Sequence, residues 1–255
     1  MGFALSLCED PAARVLEPYA TVDGLATSPA LEGSANPLGQ PLATRAFFAA
    51  HACHDCMSAS ACARVEALAE AHVAMHGWRT DRHRAHNTTD FSIHDAPALD
   101  ALLELAMRAV VLPTLLALYF RGHEPPPTLS ISDLFFAKYD TDGGQTSLPD
   151  HRDGSLLSFS IAITSPERFE GGGTRFVGKN VVLRPNRPGD LVVHSGKILH
   201  GGAPITSGQR SIVVGFVDAE GPNVNTDFIQ SQTVSRAFDH PRLDYPIVSQ
   251  CLKPN

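Results

Sequence analysis

The chain has 255 residues, 43% of them hydrophobic, and a formal net charge of −7. That length and composition suit one large globular domain with a sizeable core and exclude a disordered or fibrous chain. The acidic balance excludes nucleic-acid recognition through a broadly basic surface, although Arg79, Arg82 and Arg84 gather locally in RTDRHRAH.

Residues 1–40 mix Pro, Gly, Ser and Ala without a period and read as an irregular leader. The opening MGFALSLCED has neither the basic segment nor the long apolar run of a secretion signal, so none is expected there and the compartment stays open. A first helix is expected over about 42–53. A second begins near Ser58 or Ser60 and runs through CARVEALAEAHVAMHGW, where Val65, Leu68, Ala69 and Val73 recur at helical spacing. The polar stretch 79–96 reads as a loop with a short strand at FSIH. Asp95–Pro97 opens a third helix, APALDALLELAMRAVVLPTLLALYF, which Pro113 bends or splits. The arginine and proline inside its apolar run argue against a membrane span.

Of five cysteines, Cys53, Cys56 and Cys62 cluster in HACHDCMSASAC beside His51 and His54. A second CxxC, which would make a zinc site a strong reading, is missing. Structural zinc, a disulfide and plain thiols therefore all stay open.

After GHEPPP (122–127) the pattern changes from helix to strand. Strand-like runs cover 129–139, 155–164, 173–183, 190–195 and 210–218, bounded by Gly, Pro, Asn and Asp. The expected fold is α+β: a jelly roll of the double-stranded β-helix kind with N-terminal helices packed on it. Its parts are a helical support over 41–122, a β-helix core over 128–220 and a tail over 221–255, together one domain of 41–255. Alternation in SLLSFSIAIT puts Leu157, Phe159, Ile161 and Ile163 on one face and Ser158, Ser160 and Ala162 on the other. The first face suits a core, the second a polar cavity.

The chemistry concentrates in LPDHRDGS, HSGKILHGG and ITSGQRSIVVGF. His151 and Asp153 share a side of an extended segment, and His200 returns from a later one. Two imidazoles and one carboxylate make the facial triad that holds Fe(II) and leaves the opposite positions open. With one carboxylate the iron site carries a net charge of about +1 and accepts a dianionic 2-oxoacid. Arg210 supplies a fixed, fork-shaped cation for the distal carboxylate, a task lysine performs less well. Asp153 also argues against halogenation, which needs that position vacant for halide. Gly171, Gly172 and Gly173 signal unusual φ or a close backbone approach, and not a phosphate loop, since no GK[ST] follows.

Taken together, FFAKYDTDGGQTSLPDHRDGSLLSFSIAIT, FEGGGTRF and HSGKILHGGAPITSGQRSIVVGFVD resemble the catalytic domain of the prolyl 4-hydroxylase and procollagen-lysine hydroxylase group of Fe(II)/2-oxoglutarate dioxygenases. The resemblance covers about 130–220 and is strongest to algal and protist members, with WRTDRH and TTDFSIHD familiar upstream. It implies iron ligation by His151, Asp153 and His200, and pairing of Arg210 with the C5 carboxylate of 2-oxoglutarate. It further implies co-substrate contacts from Tyr139, Ser158 and Thr174, and a positioning or structural place for His194. The implied reaction uses O2 to hydroxylate an aliphatic C–H, releasing succinate and CO2, with ascorbate as a candidate reductant.

A prolyl or lysyl residue is the favoured target, and a free amino acid or other small molecule the alternative. Arg152 at the rim and Trp78, Arg79, Arg82 and His83 in the polar loop are the candidate substrate contacts. Two readings of other kinds compete. A silent β-helix binding module need not keep three ligands and an arginine. A cupin-like metal isomerase would carry more histidines in its first ligand motif and has no use for Arg210.

Overall fold

The computed structural model describes residues 50–83, 86–120, 125–177 and 180–221. The leader expected over 1–40 and the tail after 221 lie outside the described residues.

Two antiparallel sheets form the body. The larger orders its strands β1 (Ala50–Cys53), β9 (Leu191–Ser195), β5 (Leu157–Ala162), β11 (Ile205–Glu220), β3 (Thr128–Asp140) and β2 (Asp90–Ser92), with β6 (Phe169–Gly171) also paired to β11. The smaller runs β4 (Leu148–His151), β10 (His200–Gly202), β7 (Thr174–Phe176), β8 (Val181–Leu183). This is the expected jelly roll, with helices laid on the outer face of the larger sheet.

Alternation assigns the two faces of the larger sheet. Leu134 and Phe136 of β3 and Val213 and Val217 of β11 join the main core under the helices. Phe135, Ala137 and Tyr139, with Ile205 and Ile212, form a second cluster on the inner face. The serines of β5 likewise turn inward, and Phe159 and Ile161 belong to the main core.

Helix α1 (Ala59–His76) begins where the Ser58 side chain accepts the Ala61 N–H at 3.2 Å. It buries Ala61, Cys62, Val65, Ala69 and His72. The third expected helix divides into α2 (Pro97–Ala106), a π-helical turn Met107–Val111, and α3 (Leu112–Tyr119). Pro113 explains the division: its ring has no N–H to donate and would clash with the carbonyl four residues earlier, which a wider turn relieves. Pro97–Tyr119 is long and apolar enough to cross a membrane by length and composition, at 23 residues and mean hydropathy 1.9. In this fold Leu99, Leu103, Val111 and Leu115 are fully buried in the core.

Three expectations need correction. The end of the first expected helix, Ala50–Cys53, is strand β1, held in register with Leu191–His194, while 42–49 lies outside the described residues. The run 173–183 is two strands, β7 and β8, which pair with each other. The strand at FSIH is Asp90–Ser92, and Ile93–Asp95 already turns as a 3-10 helix leading into α2. The cysteines Cys53, Cys56 and Cys62 are buried, with no disulfide or metal-binding cluster formed from them among the described residues. Burial pushes the Cys62 thiol up to about 12, which keeps it protonated and unreactive.

Candidate metal centre

His151 ends β4 and His200 begins β10, and the two are directly paired across the smaller sheet. Asp153 follows in the loop after β4. Ligand atoms of these three side chains lie within 4.8 Å of one another, and they form the one such cluster among the described residues. His151 Nε2 is 3.4 Å from Asp153 Oδ1, and His200 Nε2 is 3.5 Å from Asp153 Oδ2.

Each imidazole is oriented from behind. His151 Nδ1 lies 2.8 Å from the Pro149 carbonyl and His200 Nδ1 2.9 Å from the Ile198 carbonyl. An N–H donated there leaves the Nε2 lone pair facing the shared centre, the tautomer a metal needs. Adjacent ligands on a divalent ion with ~2.1 Å bonds sit ~3.0 Å apart, so each imidazole needs only a few tenths of an ångström of closure on Asp153. The donor set and its geometry fit such an ion.

The three groups shift one another electrostatically. Burial alone would raise the Asp153 carboxyl, but His200, His151 and His194 outweigh it and hold the group well below the usual carboxylate range. Burial, with His194 adding to it, pushes His200 down to about 3, whereas, against the effect of burial, Asp153 and the Pro149 carbonyl hold His151 above its ordinary value.

The HxD loop is itself clamped. The Ser158 hydroxyl donates to Asp153 Oδ2 at 2.5 Å, and the Asp153 N–H donates to the Gly196 carbonyl at 2.8 Å. Lys197 is buried, and its ammonium donates to the carbonyls of Asp153 (3.2 Å) and Gly154 (2.8 Å). Sequence reasoning did not single out Lys197; a buried lysine leaves no mark in a hydrophobic pattern.

The triad lies in a cavity of about 370 Å³. Arg210, on β11, lines it at 4% exposure and pairs in register with Tyr139 of β3. The guanidinium carbon stands 5.3 Å from the Tyr139 ring centre. Burial pushes the Tyr139 hydroxyl up, against the opposing charge of Arg210. Thr174, Ser158 and Arg152 also line the cavity. Arg152 Nε donates to the Lys197 carbonyl at 3.0 Å. Ser158 touches the Asp153 carboxylate directly.

Of the expected loop contacts, the fold brings Arg82 and His83 to the cavity but not Trp78 or Arg79. Trp78 packs against Phe91 and Phe136 under the helices, where its large apolar surface is better covered. Arg79 pairs with Asp81 on the surface. Arg82 bridges Asp90 at 2.8 Å and Asp133 at 2.9 Å, and the His83 ring packs at a tilt against Phe135, 4.6 Å between centroids. His86, which the sequence did not distinguish, sits 4.8 Å from the His151 ring. His194 lies 4.2 Å from the His200 ring, its Nδ1 3.0 Å from the Ser195 carbonyl.

Comparison with known proteins gives a consistent picture. No protein-family model matches the chain. Rat procollagen-lysine,2-oxoglutarate 5-dioxygenase 1 is 40% identical over 87 residues, 33% of this chain and 12% of the rat protein. The procollagen lysyl hydroxylase and glycosyltransferase of Acanthamoeba polyphaga mimivirus is 34% identical over 94 residues, 36% of this chain and 10% of the viral protein. The chain thus spans only a small part of the length of these relatives. Among solved structures, the epimerase SnoN of nogalamycin biosynthesis, in complex with Fe3+, alpha ketoglutarate and nogalamycin RO, superposes with a TM-score of 0.51. That match is 16% identical and covers 84% of this chain and 95% of SnoN, which establishes a shared fold.

Proposed function

We propose that this chain, a relative of the procollagen lysine hydroxylases on the jelly-roll fold of 2-oxoglutarate oxygenases, is an Fe(II)- and 2-oxoglutarate-dependent hydroxylase of an aliphatic C–H bond. The observation that carries the reading is the convergence of three ligands with their lone pairs aimed at one point, in the same cavity as the buried Arg210–Tyr139 pair. His151, Asp153 and His200 would hold the iron, and Arg210 with Tyr139 the distal carboxylate of 2-oxoglutarate. Thr174 lines the same cavity and completes the co-substrate wall. When bound, iron and 2-oxoglutarate supply oxidative decarboxylation by O2, yielding succinate, CO2 and an oxygen atom for the substrate.

The protein's own residues do three things. Arg210 orients the co-substrate by a fork that cannot rotate away, because its side chain is buried. Ser158, Gly196 and Lys197 hold Asp153 in its ligating position. Phe135, Ile212, Val214 and Phe216 wall the cavity with apolar surface that keeps bulk water from the reacting carbon.

The lining bears on the target. Asp153 is the single carboxylate among the described residues of the cavity wall, and it is committed to the metal. A lysyl ammonium would meet no counter-charge there, which favours an uncharged prolyl or aliphatic side chain. The cavity volume also suits a free amino acid as the second reading. The test is succinate release, screened against proline-rich peptides, lysine peptides and free amino acids, with mass detection of one added oxygen. His151→Ala and Asp153→Ala should abolish turnover. Wild-type succinate yields in both variants would refute the proposal.

A further inference from the structure

Asp153 is held by two different parts of the fold. The turn after β9 fixes its backbone, the Gly196 carbonyl accepting the Asp153 N–H and the Lys197 ammonium donating to the Asp153 carbonyl. Its side chain is fixed from elsewhere, by the Ser158 hydroxyl 2.5 Å from Oδ2. Ser158 is 2% exposed and lies mid-sheet on β5, paired with His194 of β9 on one side and Phe216 of β11 on the other. A buried residue bonded to a strand on each side does not follow a loop, so Ser158 dictates where the carboxylate lies.

The direction of these hydrogen bonds follows from proton counting. A hydroxyl has one proton, and an ionised carboxylate only accepts. The Ser158 proton therefore goes to Asp153, and the Ser155 hydroxyl, 3.1 Å from Ser158 Oγ, donates to Ser158 in turn. Such a chain strengthens its last member, and the Ser158–Asp153 bond stands at the short end of the range for a hydroxyl on a carboxylate. Ser158 is left with no proton for a co-substrate oxygen. The two carboxylate oxygens are unequal as a result. Oδ2 carries the Ser158 bond and lies 3.5 Å from His200 Nε2. Oδ1 accepts from no hydroxyl or amide among the described residues and faces His151 Nε2 at 3.4 Å.

We propose that Ser158 sets the number of oxygens Asp153 gives to the metal: by tethering Oδ2 it leaves Oδ1 as the single ligating atom. The proposal rests on the metal assignment made above. Carboxylates bind divalent ions through one oxygen or through both. On an octahedral ion, three single-atom ligands leave about three positions open, whereas a two-point Asp153 would leave about two. The third position is what a two-point 2-oxoacid and a further small molecule need together. Ser158 is thus a positioning residue that keeps the site from being filled by its own carboxylate.

The test counts water on the metal and needs no turnover. Mn2+ is titrated into the metal-free full chain without 2-oxoglutarate, and the water bound to the ion is counted by water-proton relaxation. Wild type should hold about three water molecules and Ser158→Ala about two, with Mn2+ affinity within about threefold of wild type. Ser158→Thr keeps the hydroxyl and should keep the wild-type count. Ser160→Ala removes another hydroxyl of β5 from the same cavity and should keep it too. 2-Oxoglutarate should bind the Mn2+-loaded Ser158→Ala chain at least about tenfold more weakly than the loaded wild type. An unchanged water count, a larger fall in Mn2+ affinity or an unchanged 2-oxoglutarate affinity in Ser158→Ala overturns the proposal and leaves the hydroxylase reading standing. So does the loss of a water molecule in Ser158→Thr or Ser160→Ala. Failure of the wild type to bind Mn2+ overturns the metal assignment and this proposal with it.

Discussion

At the scale of single residues, the site depends on groups outside the His151, Asp153 and His200 cluster. Lys197 is the plainest case, since its buried ammonium fixes the backbone on both sides of the Asp153–Gly154 bond. Lys197→Met would leave two carbonyls without their donor, and a lost partner of this kind weakens metal affinity by ~10-fold to 100-fold. The expected outcome is weaker iron binding in equilibrium titration, with partial rescue by Lys197→Arg; unchanged iron affinity in the methionine variant would mean the clamp is idle. Arg210 gives a different signature. Arg210→Lys keeps the charge but loses the fork, so the dissociation constant for 2-oxoglutarate should rise more than ~10-fold while iron affinity holds. Parallel calorimetric titrations with metal and with co-substrate separate the two effects.

At the scale of elements, β1 carries a buried liability. His51 is 7% exposed, both its ring nitrogens lack a hydrogen-bond partner, and its ring packs edge-on to Tyr119 at 5.4 Å. Burial lowers its pKa from 6.5 to about 4. Between those values the unfolded chain binds a proton that the folded chain refuses, so stability rises with pH across that window. The fold should lose about 3 kcal/mol from this one group as pH falls from above 6.5 to 4. His51→Phe should flatten that part of the curve in urea melts at stepped pH; an unchanged slope would place the acid sensitivity elsewhere.

The same strand shows where sequence reading stops. AHAC has no strand pattern of its own and becomes one because its backbone completes the edge of β9. Strands β4, β6 and β10 are three or four residues long, too short for alternation to register, and exist through pairing. The long β3 and β11, the two halves around Pro113 and the inward serines of β5 were legible because they repeat a period or break one. The convergence of His151, Asp153, His200 and Arg210 on one cavity was legible by spacing and order. The places of His86 and Lys197 were not, since each is a meeting of segments far apart in the chain.

At the scale of the whole molecule, ligand and fold should be thermodynamically linked. A site assembled from β4, the following loop and β10 exists only in the folded chain, so anything bound there stabilises the fold. A metal with a non-reactive 2-oxoglutarate analogue, present at ~100 times their dissociation constants, should each add ~2.7 kcal/mol. That appears as a rise in Tm of several degrees by differential scanning fluorimetry, reversed by a chelator. No shift at saturating concentrations would contradict the metal assignment.

His151 and His200 belong to the smaller sheet, whereas Arg210, Tyr139 and Ser158 belong to the larger one. Under the proposed function, iron and the co-substrate's far end would therefore be gripped by opposite jaws of a vice. A 2-oxoglutarate molecule held this way would serve as the gauge of that gap, so a longer or shorter dicarboxylate would be refused by the spacing of the jaws even where its charges are right. Selectivity for chain length then resides in the packing that sets the gap, and a substitution between the sheets would retune it with every ligand left in place.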